Sequence, residues 1–558
     1  MRIYNRIEMK NKYILSALLL LGTATIGAQE TYENTKLIDN DLNGTARYVG
    51  MGGALDALGA DISVIGSNPA GLGLMTKSRA EVSFGFVSQP GVSAFQQGNP
   101  TNASFDQVGF VYVMRNPRGD NSGLNFAVNY HKSRNFDYIL SAVGDLKNAS
   151  QNTLSFLKAI YGRRAEDGTS IFYLETTKNG MIRGTHPFTS QLDNLYYNNL
   201  MVDHNNAVSY STATGYDMQR AHTGYIGTYD VSVSGAISPR FYLGGTIGFH
   251  DVHYTGTGEY VEDLVDISNK PLTALMVHDE KTITGLGGDF KLGAIFLPIE
   301  NSPFRIGLSV ASPTLYRLTI NTRAYMRHNL RASQSMQNGY LGGTTNESYS
   351  FKIDTPWNFG ISLGHTVGNY LALGASYNYA DYGSMNTRVN EGGGYDWYTD
   401  SYYENSSDDT NMNEHTKQTL KGVSTIKLGA EFRPVTNLAL RAGYNYISPM
   451  YQTNAFKDGT VDSYGSNYST ATDYVNWDST NRFTLGVGYQ MKNFNIDLAY
   501  QYSAQNGDFH PFMDAYGDYY YINTATKSLQ MDKIDNYANP VKVSNKRHQL
   551  LLTLGYRF

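Results

Sequence analysis

At 558 residues the chain could hold several soluble domains or one large closed architecture, and a net charge of -5 without a basic stripe excludes a phosphate-neutralising surface and hence a nucleic-acid partner. The absence of cysteine removes disulfides, thiolate metal sites and a cysteine nucleophile. With 45 tyrosines, 56 glycines, 17% charged residues and a mean hydropathy of -0.39, the chain is no helical membrane protein.

The N-terminus reads as a secretory signal peptide over residues 1–28: a basic start, an apolar run from Tyr13 to Leu21 and small residues ending at Gly27-Ala28. That run is shorter than the ~20 residues of a spanning helix. Met9, followed by Lys10 and Lys12, is an alternative start to Met1.

Next comes a small-residue stretch, "ARYVGMGGALDALGADISVIGSNPAGLG", Ala46 to Gly73. Gly50-Met51-Gly52 begins a dinucleotide fingerprint, but Leu55 stands where the third glycine belongs and no apolar strand precedes it. Val49, Met51, Leu55, Leu58, Ile62, Val64, Ile65 and Leu72, spread among small residues, argue for compact packing rather than a disordered tail. An Asn68-Pro69 turn with glycines around it completes the picture of a small plug, so residues 29–78 are read as an N-terminal periplasmic segment and hatch.

From residue 79 onward the dominant signal is period-two alternation. In "HQLLLTLGYRF", Leu550, Leu552, Leu554, Tyr556 and Phe558 share one face, while Gln549, Leu551, Thr553, Gly555 and Arg557 share the other. Tyr or Phe repeatedly ends the apolar face, as in the aromatic girdles of a membrane barrel. About fourteen such segments occur, near 79-87, 105-114, 123-132, 228-238, 240-251, 283-296, 303-311, 351-364, 370-380, 422-433, 437-447, 482-490, 493-503 and 548-558.

Connections after even-numbered segments are tight, as in "SPR" from Ser238 and "KN" at Lys492-Asn493, whereas those after odd-numbered segments are long and polar. This predicts an all-β, fourteen-stranded antiparallel transmembrane barrel over 79–558, with long extracellular loops, both termini on the periplasmic side and an outer-membrane location. A secreted sandwich or propeller gives no reason for the strict short and long alternation. The longest connection, the insertion at 133–227, carries Ile139, Val143, Leu146, Leu154, Leu157 and Ile160 near helical spacing, which predicts an amphipathic helix.

"GGALDALGADISVIGSNPAGLG", followed by an alternating strand and a C-terminal Phe558, resembles the FadL/TodX family of outer-membrane transporters for long-chain fatty acids and other hydrophobic compounds. The resemblance implies a fourteen-stranded barrel closed by a hatch, with Asn68, Pro69 and Ala70 matching the family's Asn-Pro-Ala motif and Gly52, Gly53 and Gly71 beside it as gate residues. It further implies capture by the outer loops, rearrangement of the hatch and lateral exit through the wall into lipid. The tyrosine-rich outer loops and the 133–227 insertion depart from the family's best-known members.

A carboxylate-bearing ligand calls for a cation, and the phase of the strands turns Lys291, Arg305, Lys352, Lys427 and Arg441 inward. Asp230, Asp289, Glu431 and Asp497 turn inward too, so ordinary lumenal salt bridges are the competing account of these charges. No catalytic constellation, cofactor motif or metal motif is recognised. His250 and His253, three apart on a strand, would need a bulge to share a metal. The function expected is a monomeric, non-enzymatic barrel in outer-membrane lipid that passes a hydrophobic small molecule; a surface haem-binding receptor, an adhesin and a general porin remain alternatives.

Overall fold

The computed structural model describes residues 30–115, 123–162, 164–202, 207–266, 268–329 and 344–558; the expected leader lies outside the described residues. Fourteen antiparallel strands close on themselves. In chain order they are β1 (Arg79–Ser88), β2 (Thr101–Arg115), β3 (Gly123–Asn135), β4 (Thr212–Ser238), β5 (Phe241–Val265), β6 (Pro271–Phe296), β7 (Arg305–Ala311), β8 (Asn358–Val367), β9 (Leu371–Asp381), β10 (Gly422–Val435), β11 (Leu438–Ile447), β12 (Tyr474–Met491), β13 (Phe494–His510) and β14 (Val541–Arg557). Each pairs with the next, and β14 returns to β1 with Arg557 opposite Arg79.

The alternation seen in the sequence becomes two faces. On β4, Val231 and Val233 face outward while Asp230, Ser232 and Ser234 are buried inside; on β14, Leu550 and Leu554 face outward while Gln549, Leu551 and Thr553 face the lumen. An apolar exterior around a largely polar interior inverts the soluble arrangement and is what a lipid environment requires of a closed sheet. Among the described residues no helix is long and apolar enough to cross a membrane.

All fourteen expected strands are present, and the structure corrects their ends. β4, β5 and β6 run for 27, 25 and 26 residues, well beyond the ~10 that cross a bilayer. The expected 133–227 insertion is therefore partly wall: a strand at Tyr138–Ala149 pairs with the outer half of β4, Tyr138 opposite His222. Past the lipid the pattern reverses, with Tyr216 and Met218 of β4 buried inside and Asp217 and Gln219 exposed, so the apolar-out alternation that marks a strand in the sequence fades there.

The expected helix shrinks for the same reason. Ile139, Val143 and Leu146 lie on that strand, and the helix spans only Gln151–Ala159, its start set by Ser150, whose hydroxyl accepts from Thr153 N–H at 2.9 Å. Leu154 and Leu157 remain on it, while Ile160 is its C-cap. The segment expected at 351–364 is two strands: Thr344–Asp354 belongs to a crown outside the ring, and β8 begins only after Pro356, which has no N–H to give a ladder. Crown and insertion together roof the barrel over a buried cluster that includes Leu154, Phe156, Tyr196, Tyr197, Phe509 and Phe512.

Residues 30–78 fill the lumen along its length. The segment begins near the long-loop end, where Glu30 meets Lys457 at 3.0 Å, and descends as helix α1 (Thr31–Ile38), the short helix α2 (Ala46–Gly50) and two 3-10 turns, Ile62–Gly66 and Pro69–Leu74, before joining β1.

Candidate functional site: the lumenal segment and the wall beside it

The lower part of the segment touches the wall backbone to backbone. Gly52 has φ +61, and a Cβ there would come within 2.8 Å of Tyr444 N and 2.9 Å of Leu428 O, so no other residue fits. Gly53 follows at φ +78. Asn68 is fully buried; its side-chain oxygen accepts from Ala70 N–H at 3.2 Å to start the Pro69–Leu74 turn, and its amide reaches Ala294 O on β6 at 3.4 Å. Gly71 N–H returns to Asn68 O at 3.0 Å, and Gly71 O accepts from Ala60 N–H at 3.0 Å. The wall answers with its own glycine: a side chain at Gly293 would strike both the Asn68 oxygen and Pro69.

Charges tie this lower part to the barrel. Glu431 on β10 accepts from Arg441 at 2.7 Å, from Arg433 at 2.7 Å and from Arg47 of α2 at 3.1 Å, and Arg441 continues to Asp497 at 2.6 Å. Lys427 meets Asp56 of the segment at 3.3 Å. Lys291 meets Asp289 at 2.8 Å and Asp230 at 3.3 Å, and Arg305 donates to Leu58 O at 2.6 Å. Lys352 is not in the lumen; it stands on the crown strand, 2.9 Å from Glu404. Of the five cations considered for a ligand carboxylate, the structure thus brings four against or beside the segment, each already partnered. His250 is buried 3.1 Å from Asp289, while His253 points to the other face, 2.9 Å from Asp251.

The upper part is built from tyrosines, buried ions and open space. Tyr32 of α1 stacks on Tyr451 with centroids 5.1 Å apart, Thr31 Oγ1 lies 2.8 Å from Thr416 Oγ1, and Glu33 takes both Lys36 at 2.8 Å and Lys281 at 2.9 Å. Burial works to raise the Glu33 carboxyl, but Lys281 and Lys36 outweigh it and hold the group well below the ordinary range. A cavity of about 100 Å³ lies alongside, lined by Tyr32, Tyr138, Tyr254, Tyr451 and Trp477 together with Arg134 and Arg547. A second, of about 260 Å³, continues below past Asp39, Asp41, Tyr48 and Arg482 and is mostly polar.

Between these two parts the wall itself is incomplete. The β2–β3 ladder stops at Gln107 opposite His131, although β2 extends up to Thr101 along β1 and β3 extends to Asn135 along β4 through a bulge at Ser133. The lumenal segment closes the interval. Asn43 donates to Asp106 on β2 at 2.9 Å and to Lys132 O on β3 at 3.0 Å, Asp41 N–H donates to Ser133 O at 2.8 Å, and Asp41 Oδ2 accepts from Asn135 N–H at 2.8 Å. Buried backbone groups that a neighbouring strand would ordinarily pair are thus satisfied from inside. The Asp41 carboxyl, raised by burial, is brought below its usual value by Arg134, Arg547 and Arg482.

Sequence reasoning missed Asp39, Asp41, Asn43, Arg134, Arg482 and Arg547. Arg134 and Arg547 fell just outside expected strand ends and Arg482 opened one, so strand phase did not count them as lumenal. Inward phase carried past the expected strand ends finds Arg482 and Arg547, but Arg134 has the outward phase of β3 and reaches the lumen only through the bulge at Ser133.

No family model matches the chain, and no curated protein matches it. Among solved structures it is similar to a FadL homologue of Pseudomonas aeruginosa (12% identity, covering 93% of this chain and 99% of that one, TM-score 0.46). It is similar also to the toluene transporter TbuX of Ralstonia pickettii (12%, 93% and 99%, 0.44) and to the toluene transporter TodX of Pseudomonas putida (11%, 93% and 100%, 0.44).

Proposed function

We propose that the chain is an outer-membrane carrier that passes small hydrophobic or amphiphilic molecules, long-chain fatty acids among them, from the long-loop side into the bilayer through the interval between β2 and β3. The observation that carries this reading is the unpaired stretch of wall closed from within by Asp41 and Asn43. An aromatic cavity beside it supplies a first resting place. Lateral exit keeps an apolar body out of water, where each CH2 is disfavoured by roughly 0.8 kcal/mol, so passage needs a route and no chemistry.

Residues 30–78 act as the hatch. Asn68, Pro69, Ala70 and Gly71 anchor its lower turn while residues 39–43 withdraw. The filled lumen speaks against a general porin.

Because the natural chain has no cysteine, a clean lock is available. A short bifunctional thiol crosslinker between Asn43→Cys and Asp106→Cys, the pair joined at 2.9 Å, holds the interval shut. Cells expressing the crosslinked variant are expected to lose uptake of a fluorescent fatty acid that each single variant retains. Undiminished uptake in the crosslinked protein would overturn lateral exit.

A further inference from the structure

Two tyrosine-rich hairpins stand on the long-loop side, and they differ in what covers them. The first is made of the strands Ala515–Ile522 and Leu529–Asn536. It lies against the insertion: Tyr520 N–H donates to Ser170 Oγ at 3.0 Å, and Tyr519 packs edge-on to Phe156 with centroids 5.2 Å apart. The Arg164 guanidinium rests 3.6 Å from the centre of the Tyr520 ring, whose hydroxyl donates to Asp518 at 3.3 Å. The second is made of the strands Asn386–Asp396 and Ser401–Asp408. Its base is held by Arg388 with Asp408 and by Lys352 with Glu404, both at 2.9 Å. Toward its tip Tyr395 pairs with Tyr402 across the strands, and Trp397 and Tyr402 each meet the Tyr395 ring edge-on with centroids 5.0 Å apart. Trp397 and Tyr402 are each 86% exposed, and Tyr398 is fully exposed.

Rings left in water at the end of a hairpin gain little for the fold, and an exposed aromatic patch marks a binding surface. The same tip carries Glu391, Asp396 and Asp400. Asp400 accepts from the Tyr395 hydroxyl and Asp396 from Tyr398 N–H at 2.9 Å, but none of the three meets a cation among the described residues. Ring faces and unbalanced carboxylates both attract positive charge. Both repel an anionic headgroup, and a neutral sugar would leave the charge unused. The first hairpin shows which cation fits, since there a tyrosine whose hydroxyl sits on a carboxylate carries an arginine on its face. We propose that the tip of the second hairpin is a docking site for an arginine-bearing segment of another surface protein, its guanidinium groups lying on Trp397, Tyr398 and Tyr402 as Arg164 lies on Tyr520. Arginine fits better than lysine because its planar, weakly hydrated head stacks on a ring. The site is separate from the carrier route: none of these residues lines either lumenal cavity.

The test uses the full chain in a non-ionic detergent, with fluorescently labelled hexaarginine, hexalysine and maltohexaose followed by anisotropy. Hexaarginine is expected to bind about fivefold more tightly than hexalysine, the scale of one exposed cation–π contact, and maltohexaose not to bind. Trp397→Ala and Tyr402→Ala are each expected to weaken hexaarginine about fivefold, Trp397→Phe to keep most of the affinity, and Glu391→Gln to weaken both peptides alike. These substitutions sit on an exposed hairpin and leave the packed interior untouched. The chain has three tryptophans, so a Trp357→Phe, Trp477→Phe background leaves Trp397 as the single reporter, and hexaarginine is expected to change its fluorescence. Equal affinities for the two peptides, or hexaarginine binding indifferent to Trp397→Ala, would mean only attraction of a polycation to an acidic chain and would overturn the site. Preferential binding of maltohexaose would overturn it too, by making the tip a reader of neutral sugars; so would silence of all three probes.

Discussion

The two halves of the lumenal segment are held in opposite ways. From Ala46 to Met75 small residues lie directly against the wall: Gly52 against Tyr444 and Leu428, Asn68 and Pro69 against Gly293, with Val49, Leu55, Ile62, Val64 and Leu72 fully buried. From Glu30 to Asn43 the contacts are tyrosine rings, buried ion pairs and cavities. Shape fit of backbone on backbone has no partial state, because a packed contact either closes or opens. Ion pairs across a lumen can be traded for others one at a time. The lower half is therefore suited to anchoring, the upper half to release, and the wall interval sits beside the half that can let go.

The contrast can be broken from below first. Glu431→Gln leaves Arg47, Arg433 and Arg441 gathered without their shared carboxylate, and loss of one partner in a buried ion cluster is expected to weaken docking of the lower half by about 4 kcal/mol. A cysteine reporter at buried Val49, in a chain otherwise without cysteine, should become labelled far faster; slow labelling would mean that packing alone holds the lower half.

Gly52→Val is next, at about 3 kcal/mol, from a left-handed backbone combined with a clash against the wall. The same reporter should respond, while one at Leu42 should hardly move; equal responses would show that the two halves are a single cooperative unit.

Asn43→Ala removes two hydrogen bonds at the wall interval, an expected loss of about 2 kcal/mol confined to the upper half. Its signature is faster amide exchange over residues 39–45 and over the ends of β2 and β3, with the lower turn unchanged.

Acid is the mildest challenge. Glu33 and Asp41 have folded pKa values depressed below their unfolded ones, so their stabilisation is complete above the unfolded value, about 4, and is lost as pH falls through the lower folded values. Labelling at Leu42 should be flat from pH 8 to about 5, after correction for thiol ionisation, and rise only below about 4. A rise near neutral pH would show that other groups control the upper half.

Much of the barrel was legible in the chain because strand alternation is local. Leu550, Leu552 and Leu554 declare an outward face without reference to any other strand, and turns such as Lys492-Asn493 set the order of neighbours. What faded was everything past the lipid, where Ile139, Val143 and Leu146 mimicked helical spacing while lying on a strand that pairs with β4. Lys352 shows the same limit: its phase was readable, but not that Pro356 would separate its strand from the ring.

The amino-acid sequence alone determined a fourteen-stranded closed sheet and a small-residue segment ahead of it, since periods of two, turn chemistry and glycine content act over a few neighbouring residues. Only the tertiary structure decided which charges meet and where the wall is left unpaired. Arg47 reaches Glu431 across 384 residues of chain, and Asp41 meets arginines from three separate strands. Such partners are chosen by the closure of the barrel around its own N-terminus, and no local pattern records them.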